Sequence, residues 1–205
     1  MLPEDAGTTP QGALDVTGAY TASDKRVGNK PKPVGLMVRD GEVISREFVR
    51  FDGVLTSDAT GHARIHMRTN VVLGERAFDL NNATQRSAFL VQAANDGFDV
   101  LQSHLLIIDG VADVADQEGA PTFRRRIMFQ MDNGDIGVFD SSPRALTLHD
   151  ATEEVAARFA PRMALNLDMG SYDFCRKGVA LCGALAEAGT AKLSNLLRFS
   201  LARRP

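Results

Sequence analysis

The chain has 205 residues, of which 44% are hydrophobic and 24% are charged, and this balance is typical of one globular domain with a sizeable core. Its formal net charge of -3 gives no general attraction to nucleic acid. No run approaches the roughly 18 apolar residues that cross a membrane, and residues 1–12 show no export signal, so the composition excludes a membrane span and disfavours nucleic acid as a partner.

The first 33 residues are rich in Gly, Thr, Asp, Lys and Pro. Pro31 and Pro33 disfavour regular structure, because proline lacks a backbone N–H group. We therefore expect residues 1–33 to be an irregular N-terminal stretch of the same domain that residues 34–205 form.

Two hairpins are predicted from their turn residues. Asp40 and Gly41 lie between β-rich runs, and Asn133 and Gly134 lie between two more, and such pairs adopt the positive φ of tight turns. The segments predicted as strands are residues 34–38, 43–45, 48–51, 63–67, 99–101, 105–109, 127–131, 136–139 and 195–201.

Helices are fewer. Residues 84–96 carry Ala88, Leu90, Val91 and Ala94 at helical spacing and precede Gly97, a common helix stop. Asp150 and Glu153 resemble a capping box that opens a second helix, which Pro161 ends, and residues 187–193 form a third, short candidate. Many strands with two or three helices, without regular βαβ alternation, predict an α+β fold with a mixed, largely antiparallel β-sheet core.

The two cysteines, Cys175 and Cys182, are seven residues apart in one short segment. A local disulfide that closes a hairpin-like loop suits this placement and an oxidising compartment. Two free, partly buried thiols are the alternative. A metal site is the weakest interpretation, because no histidine lies nearby to complete a ligand set.

Familiar nucleotide-binding, zinc-protease and serine-hydrolase motifs are absent from the sequence. His62 and His66 are four residues apart, but two imidazoles without a third ligand are more typical of exposed strand residues. Asp168 is the stronger candidate, because a strand in which Leu165 and Leu167 alternate with polar residues ends there, beside Gly170. A turn-capping role for this Asp is the alternative interpretation.

Three segments in this order resemble the phosphodiester glycosidase family, whose members include a lysosomal enzyme that removes N-acetylglucosamine from a phosphodiester-linked mannose. The family pattern runs Gln-Ser/Ala-Gly-Pro-Leu-Leu, then Arg-Thr/Ser-Ala-Ile-Gly, then Leu-Asn-Leu-Asp-Gly-Gly. Gln102 with Ser103 keeps the first segment, Arg126 the second, and residues 165–168 with Gly170 the third. The resemblance extends from about residue 16 to residue 197.

The resemblance implies a glycosidase-like hydrolase that acts on a sugar phosphodiester or a related polysaccharide linkage. It implies Asp168 as nucleophile or general base and Arg126 as the partner of the phosphate. The residues that it implies for substrate binding are Gln102, Ser103, Asn166, Gly170 and Ser171. The bland alternatives are an ion pair between Arg126 and Asp168, and an Asn166 that only satisfies backbone groups.

The chain also departs from the family pattern. Thr17 stands where the family has Asn, and His104, Ile127, Gln130 and Met169 replace smaller or different residues. These side chains add bulk where the family keeps its backbone bare. A degenerate relative that binds carbohydrate or an anionic ligand without turnover is therefore the second hypothesis.

The partner predicted by either hypothesis is a sugar-phosphate or polysaccharide ligand. The oxygens of Asp168 and Asn166 suit a divalent cation, but the sequence offers no full ligand set, so no metal and no cofactor are predicted. The cysteine pair predicts an exported or periplasmic protein, and the resemblance implies the same, because members of the family are usually exported.

Overall fold

The computed structural model describes Met1 and residues 7–200 of the chain. The described part forms strands and two α-helices, with three short 3₁₀ segments. The strands are β1 (Leu14–Thr17), β2 (Thr21–Asp24), β3 (Lys30–Pro33), β4 (Leu36–Arg39), β5 (Glu42–Arg46), β6 (Gly53–Ser57), β7 (Ala63–Met67), β8 (Val71–Leu73), β9 (Arg76–Phe78), β10 (Asp99–Ser103), β11 (Leu105–Ile108), β12 (Val111–Ala112), β13 (Arg126–Gln130), β14 (Ile136–Asp140), β15 (Met163–Asn166), β16 (Cys175–Lys177), β17 (Ala180–Leu181) and β18 (Leu196–Phe199). The α-helices are α1 (Ala83–Asn95) and α2 (Leu148–Phe159), and the 3₁₀ segments are Lys25–Val27, Gly170–Tyr172 and Glu187–Lys192.

The chain divides into two compact units. The terminal unit comprises Met1–Val34 and Asp168–Pro205, and the central unit comprises Gly35–Leu167. All strand pairings between named strands are antiparallel in the described part of the chain, and helices are confined to two long ones, so the α+β prediction is confirmed.

The terminal unit is built on a four-stranded sheet in the order β17-β16-β1-β18. Phe174, Leu193 and Leu196 form its small buried cluster. Cys175 and Cys182 form a disulfide with their Cα atoms 4.9 Å apart, which closes the β16–β17 hairpin as predicted. A cross-link of this kind supports a unit whose apolar core is small.

Residues 30–33 differ from the sequence expectation, because they form β3 rather than irregular backbone. Among the described strands β3 pairs only with β2, and its prolines face Ser23 and Thr21 in the register. Proline is tolerated in such an edge strand, where the missing N–H group costs no ladder hydrogen bond. The expectation of an irregular stretch therefore does not hold for β1, β2 and β3, whereas residues 2–6 lie outside the described residues.

The central unit contains two five-stranded sheets, in the orders β5-β4-β10-β6-β7 and β12-β11-β15-β13-β14. Helix α1 packs on the first sheet through Phe89 and Leu90, and α2 packs on the second through Ala151 and Val155. The two sheets approach closely at Gly53, where a Cβ atom would stand 2.2 Å from a methyl carbon of Leu165. Only glycine fits this point of β6.

The ends of the helices follow known capping rules, but one cap differs from the prediction. Asn82 caps α1 by accepting hydrogen bonds from two backbone N–H groups, and α1 occupies the predicted segment within one residue. Helix α2 starts three residues earlier than expected, because Thr147 is its N-cap in place of Asp150 and accepts the Asp150 N–H at 2.9 Å. The predicted capping box at Asp150 is therefore wrong, since the Thr147 hydroxyl already serves that function.

Both predicted hairpins are present, as β4–β5 and β13–β14. The predicted strand at residues 48–51 is wrong, because the carbonyls of Val49 and Phe51 accept hydrogen bonds from a side chain instead of a neighbouring strand. The third helix candidate is a 3₁₀ segment, and the terminal strand is the shorter β18. No helix in the described part of the chain is long and apolar enough to cross a membrane.

Candidate active site

Asp168 lies in the terminal unit, two residues after β15 ends at Asn166. It is only 5% exposed. Its Oδ2 accepts a hydrogen bond from the Thr21 N–H at 2.9 Å, and its Oδ1 accepts one from the Met169 N–H at 3.0 Å. Its own N–H donates to the Gly18 carbonyl at 2.9 Å. Each oxygen of the carboxylate thus accepts a hydrogen bond from a backbone N–H group of the same unit.

Burial raises the pKa of Asp168 from 3.8 to about 6, although hydrogen bonds from Thr21 and Met169 act in the opposite direction. Burial dominates because its partners are neutral donors, which offset only part of the cost of removing a charge from water. A carboxyl group with this pKa exchanges protons near neutral pH, as a general base must, and it is largely ionised at pH 7. A turn-capping Asp on the surface has no such property.

Polar side chains of the terminal unit contact residues 19–21, the segment from which the Thr21 N–H donates to this carboxylate. Asn195, which is fully buried, accepts the Ala19 N–H at 2.8 Å and donates to the Ala19 carbonyl at 3.3 Å. The hydroxyl groups of Thr21 and Ser194 are 2.9 Å apart. None of these residues was predicted as part of the site, although the family resemblance extends over Ser194 and Asn195, a polar pair directly before the apolar strand β18.

Thr17, which stands where the family pattern has Asn, is fully buried. Its hydroxyl donates to the Tyr172 carbonyl at 2.5 Å and accepts the Phe174 N–H at 3.1 Å. Thr17 therefore fixes the turn that follows Asp168 through backbone contacts.

The turn after Asp168 begins with Met169, which is half-buried and has an extended backbone. Gly170 has a φ of 74°, which is strained for other residues, and no atom lies within 4 Å of the place where its Cβ would be. Gly170 and Ser171 are exposed. The glycine is therefore required by backbone conformation, and open space surrounds it.

Gln102 lies on β10 of the central unit and is fully buried. Its Oε1 accepts the Leu36 N–H at 3.1 Å, and its Nε2 donates to the carbonyls of Val49 and Phe51 at 3.1 and 2.7 Å. The side-chain amide therefore ties an irregular segment to the first sheet. Substrate binding by Gln102 stays a prediction.

Ser103 and Asn166 are brought together in the central unit. The Ser103 hydroxyl donates to the Asn166 carbonyl at 2.5 Å, and the Asn166 N–H donates to the His104 carbonyl at 2.9 Å. Both residues are at least 95% buried. These contacts join the end of β10 to the end of β15.

Arg126 begins β13, and its guanidinium is 1% exposed. Its Nη2 and Nε donate to Oδ2 of Asp140, its cross-strand neighbour, at 2.6 and 3.1 Å. The Leu167 N–H donates to the Arg126 carbonyl at 3.0 Å, which places Arg126 beside the end of β15. Arg126 thus has a carboxylate partner within its own unit.

The predicted site residues are distributed between the two units. Gln102, Ser103, Arg126 and Asn166 belong to the central unit, whereas Asp168 belongs to the terminal unit together with the turn at residues 169–172. The convergence of Asp168 with Arg126 and Gln102 stays a prediction. Among the described residues, no group of three or more His, Cys, Asp or Glu side chains is arranged to hold a metal ion.

A cavity of about 570 Å³ lies in the central unit beside β7, and none of the predicted site residues lines it. His62 and His66 are among the residues that line this cavity. Burial lowers the pKa of His66 to about 4, and its ring contacts the Thr56 hydroxyl at 3.0 Å. The expectation of exposed strand residues is met in full by neither histidine, because His62 is exposed but precedes β7, and His66 lies in β7 but is half-buried.

Comparison with known proteins gives structural likeness without sequence likeness. No family model matches the chain, and no curated protein matches it. The catalytic domain of zebrafish N-acetylglucosamine-1-phosphodiester alpha-N-acetylglucosaminidase, auto-inhibited by its pro-peptide, aligns with a TM-score of 0.56 and 13% identity over 89% of this chain. A hypothetical protein from Synechocystis aligns with a TM-score of 0.45 and 10% identity over 94% of this chain.

The chain spans little more than half of these solved structures, 58% of the first and 54% of the second. At 13% identity, the likeness to the first shows a shared fold and a distant structural relationship. The fold is therefore that of an α+β protein and is shared, at a distance, with this glycosidase catalytic domain.

Proposed function

We propose that this chain is a glycosidase-like hydrolase that cleaves a sugar from a phosphodiester or a related polysaccharide linkage. The observation that carries the proposal is Asp168, a buried carboxylate held by two backbone N–H groups, whose pKa is raised to about 6. Its place in the order of the family segments and the glycosidase-like fold support the same function.

Cleavage of a sugar from a phosphodiester passes through an oxocarbenium-like transition state, as other glycoside cleavages do. The departing phosphate is a weak base and leaves with the bonding electron pair without a proton donor. One carboxylate then suffices. Ionised Asp168 either adds to the anomeric carbon or accepts the proton of the attacking water, and both roles require the charged form.

The test compares three proteins on a panel of sugar-1-phosphodiesters that differ in the sugar and in its anomeric configuration. Asp168→Asn should reduce kcat/KM at least about 100-fold relative to the wild type. Asp116→Asn is the matched control, because Asp116 is an exposed carboxyl group for which the described residues provide no hydrogen bond or ion pair. Equal turnover by wild type and Asp168→Asn would refute the proposed role.

A second candidate is a catalytically degenerate protein that binds carbohydrate or an anionic ligand. Gln102 favours it, because all of its amide hydrogen bonds go to the backbone of the central unit, and so does the Arg126–Asp140 ion pair. Saturable binding of panel members without release of sugar would support this candidate. The disulfide suits an oxidising compartment, so we also propose that the protein is exported.

A further inference from the structure

The cavity beside β7 is built from separate segments of the central unit. Side chains from residues 62–72 form one side, and residues 130–134, at the turn of the β13–β14 hairpin, form another. Asp109 and residues 162–163 complete the lining. The volume of about 570 Å³ lies in the range of roughly 300–1,000 Å³ that small-molecule sites have. Asp168 is not part of the lining, so a ligand in this cavity occupies a separate site.

Gln130 joins two sides of the cavity. Its side-chain Oε1 accepts the Ile65 N–H at 2.9 Å, which connects β7 of the first sheet to β13 of the second. Its backbone carbonyl accepts the Arg162 N–H at 2.8 Å. The cavity is therefore shaped by hydrogen bonds within the protein, and a preformed site loses less entropy when a ligand binds. Gln130 stands where the family pattern has glycine, so the resemblance does not account for this connection.

Two partly buried side chains of the lining each keep one polar group for a ligand. The His66 ring contacts the Thr56 hydroxyl through Nε2, and the described residues provide no partner for its Nδ1. The Gln130 amide uses Oε1 for the Ile65 N–H, and its NH₂ group has no partner in the described part of the chain. Neither nitrogen is among the fully buried atoms that lack a hydrogen bond, so both are accessible from outside the protein.

The charges of the lining balance each other. Two arginines and two aspartates line the cavity, so their formal charges sum to zero. Arg162 Nε donates to Asp109 Oδ1 at 3.1 Å. Arg64 and Asp132 have no hydrogen bond or ion pair with other side chains that the structure describes, and both are exposed. Burial lowers the pKa of His66 to about 4, with a contribution from the charge of Arg64, so this ring is neutral at pH 7.

The hydroxyl groups of a sugar match this lining. Each hydroxyl both donates and accepts, and the cavity offers the Arg64 guanidinium and the Gln130 NH₂ group as donors and the Asp132 carboxylate as an acceptor. Hydrogen bonds with charged partners are the strong ones of such a set. Met67 and Val72 add apolar surface, on which the C–H groups of a sugar ring can pack. A ligand with a net charge finds no opposite net charge here.

We propose that this cavity is a ligand site separate from Asp168 and that it binds a neutral saccharide. Arg64 and Asp132 supply its charge-assisted hydrogen bonds, and the free nitrogens of His66 and Gln130 supply neutral ones. In a protein that acts on a polysaccharide, a second attachment point raises the effective affinity for the polymer. That consequence rests on the proposed function, whereas binding in the cavity does not.

The experiment uses the four histidines of the chain as reporters. Imidazole ¹H–¹⁵N NMR spectra of the full chain are recorded during titration with short neutral oligosaccharides of glucose, galactose, mannose and N-acetylglucosamine. At least one of these probes should give saturable shifts at His62 and His66, which line the cavity. Shifts confined to His104 or His149 would overturn the proposal, and so would a panel without any shift. Saturation by phosphorylated or uronic-acid sugars alone would overturn the neutral ligand.

Two conservative variants test the charged partners of the saccharide. Arg64→Gln and Asp132→Asn change exposed side chains, so both proteins should fold as the wild type does. Each variant should raise the Kd of the bound probe about tenfold, the effect of losing one hydrogen bond to a charged group. Arg50→Gln and Asp116→Asn are matched controls at exposed positions outside the cavity, and they should leave the Kd unchanged. Wild-type affinity in both cavity variants would contradict the proposal.

Asp168→Asn separates this site from the proposed reaction. This variant should keep the saturable shifts of His62 and His66 with an unchanged Kd, because Asp168 does not line the cavity. Loss of these shifts in a folded Asp168→Asn protein would overturn the separate site. If the wild type binds a probe in the cavity but cleaves no sugar phosphodiester, the proposed function fails and the saccharide site stands.

Discussion

The terminal unit buries two carboxylates, Asp15 and Asp168, in opposite ways. Asp15 is 0% exposed and Asp168 is 5% exposed. Arg198 donates to both oxygens of Asp15, at 2.7 and 2.9 Å, and Arg176 donates to one at 3.2 Å. Within the described residues, Asp168 receives hydrogen bonds from neutral donors only. Both groups are aspartates and both are at least 95% buried, so the two environments differ in the charge of the hydrogen-bond donors.

The pKa values of the two groups differ accordingly. Burial alone would raise the pKa of Asp15, but the hydrogen bonds from Arg198, Thr9 and Arg176 outweigh it and lower this pKa. At Asp168, burial dominates and the pKa rises to about 6. Asp15 is therefore a structural group that is charged at neutral pH and links β1, β16 and β18, whereas the protonation of Asp168 changes near neutral pH. Perturbation of the second kind is the one associated with reactive sites.

The largest effect on stability should come from Asp15→Asn. This change leaves two guanidinium groups without the carboxylate that neutralises them, and it should lower the free energy of unfolding by about 3–5 kcal/mol at pH 7. Because the pKa of Asp15 is lowered on folding, its stabilisation is present above 3.8 and is lost as the pH falls through the folded value. Denaturant unfolding at several pH values should show the difference shrinking in acid. A constant difference would contradict this account.

Asp168→Asn should give the opposite pH dependence. The folded pKa of Asp168 is above the unfolded value of 3.8, so the wild type is stabilised below pH 3.8 and loses this contribution as the pH rises through about 6. The loss is about 3 kcal/mol, from 2.2 pH units at 1.36 kcal/mol each. Relative to the wild type, the variant should therefore gain up to about 3 kcal/mol between pH 4 and pH 8. Parallel stability curves would show that Asp168 ionises as an ordinary surface carboxyl group does.

The sequence predicted one of these two carboxylates and not the other. Asp168 ends an alternating strand beside a glycine, which is a local pattern. Asp15 lies in β1 between two apolar residues, where no glycine or turn follows it directly. Its partners Arg176 and Arg198 are 161 and 183 positions away along the chain. The hydrogen bond between Thr21 and Ser194 spans 173 positions. Contacts of this separation have no signature in a single sequence.

The fold was predicted best where local chemistry decides it. Asp40 with Gly41 and Asn133 with Gly134 specify hairpin turns by themselves, and both hairpins are present. β6 was missed because Asp52 and Gly53 are typical of a turn. Gly53 instead occupies a strand at the point where Leu165 leaves no room for a side chain. Tertiary packing overrode the local preference there.

The smallest predicted effect on stability concerns Asp52 and His104, a half-exposed pair in the central unit. This pair shows what a charged partner contributes to a carboxylate that is partly in contact with water. Asp52 Oδ1 contacts His104 Nδ1 at 3.1 Å and accepts the Leu105 N–H at 2.7 Å. The two side chains are 33% and 40% exposed. The hydrogen bond with Asp52 raises the pKa of His104 above 6.5, with further contributions from the charges of Asp52 and Asp113, while burial acts in the opposite direction.

Asp52→Asn should lower the pKa of His104 toward its ordinary value, which imidazole NMR titration measures. Since the folded pKa of His104 is raised, the stabilisation is present below 6.5 and is lost as the pH rises through the folded value. Solvent screens a pair with this exposure, so the loss of stability in the variant should stay below about 1 kcal/mol. A larger loss would mean that a charged partner determines how much each of the three carboxylates contributes to stability, whether or not it is buried. A small loss would support burial as the factor that separates Asp15 and Asp168 from Asp52.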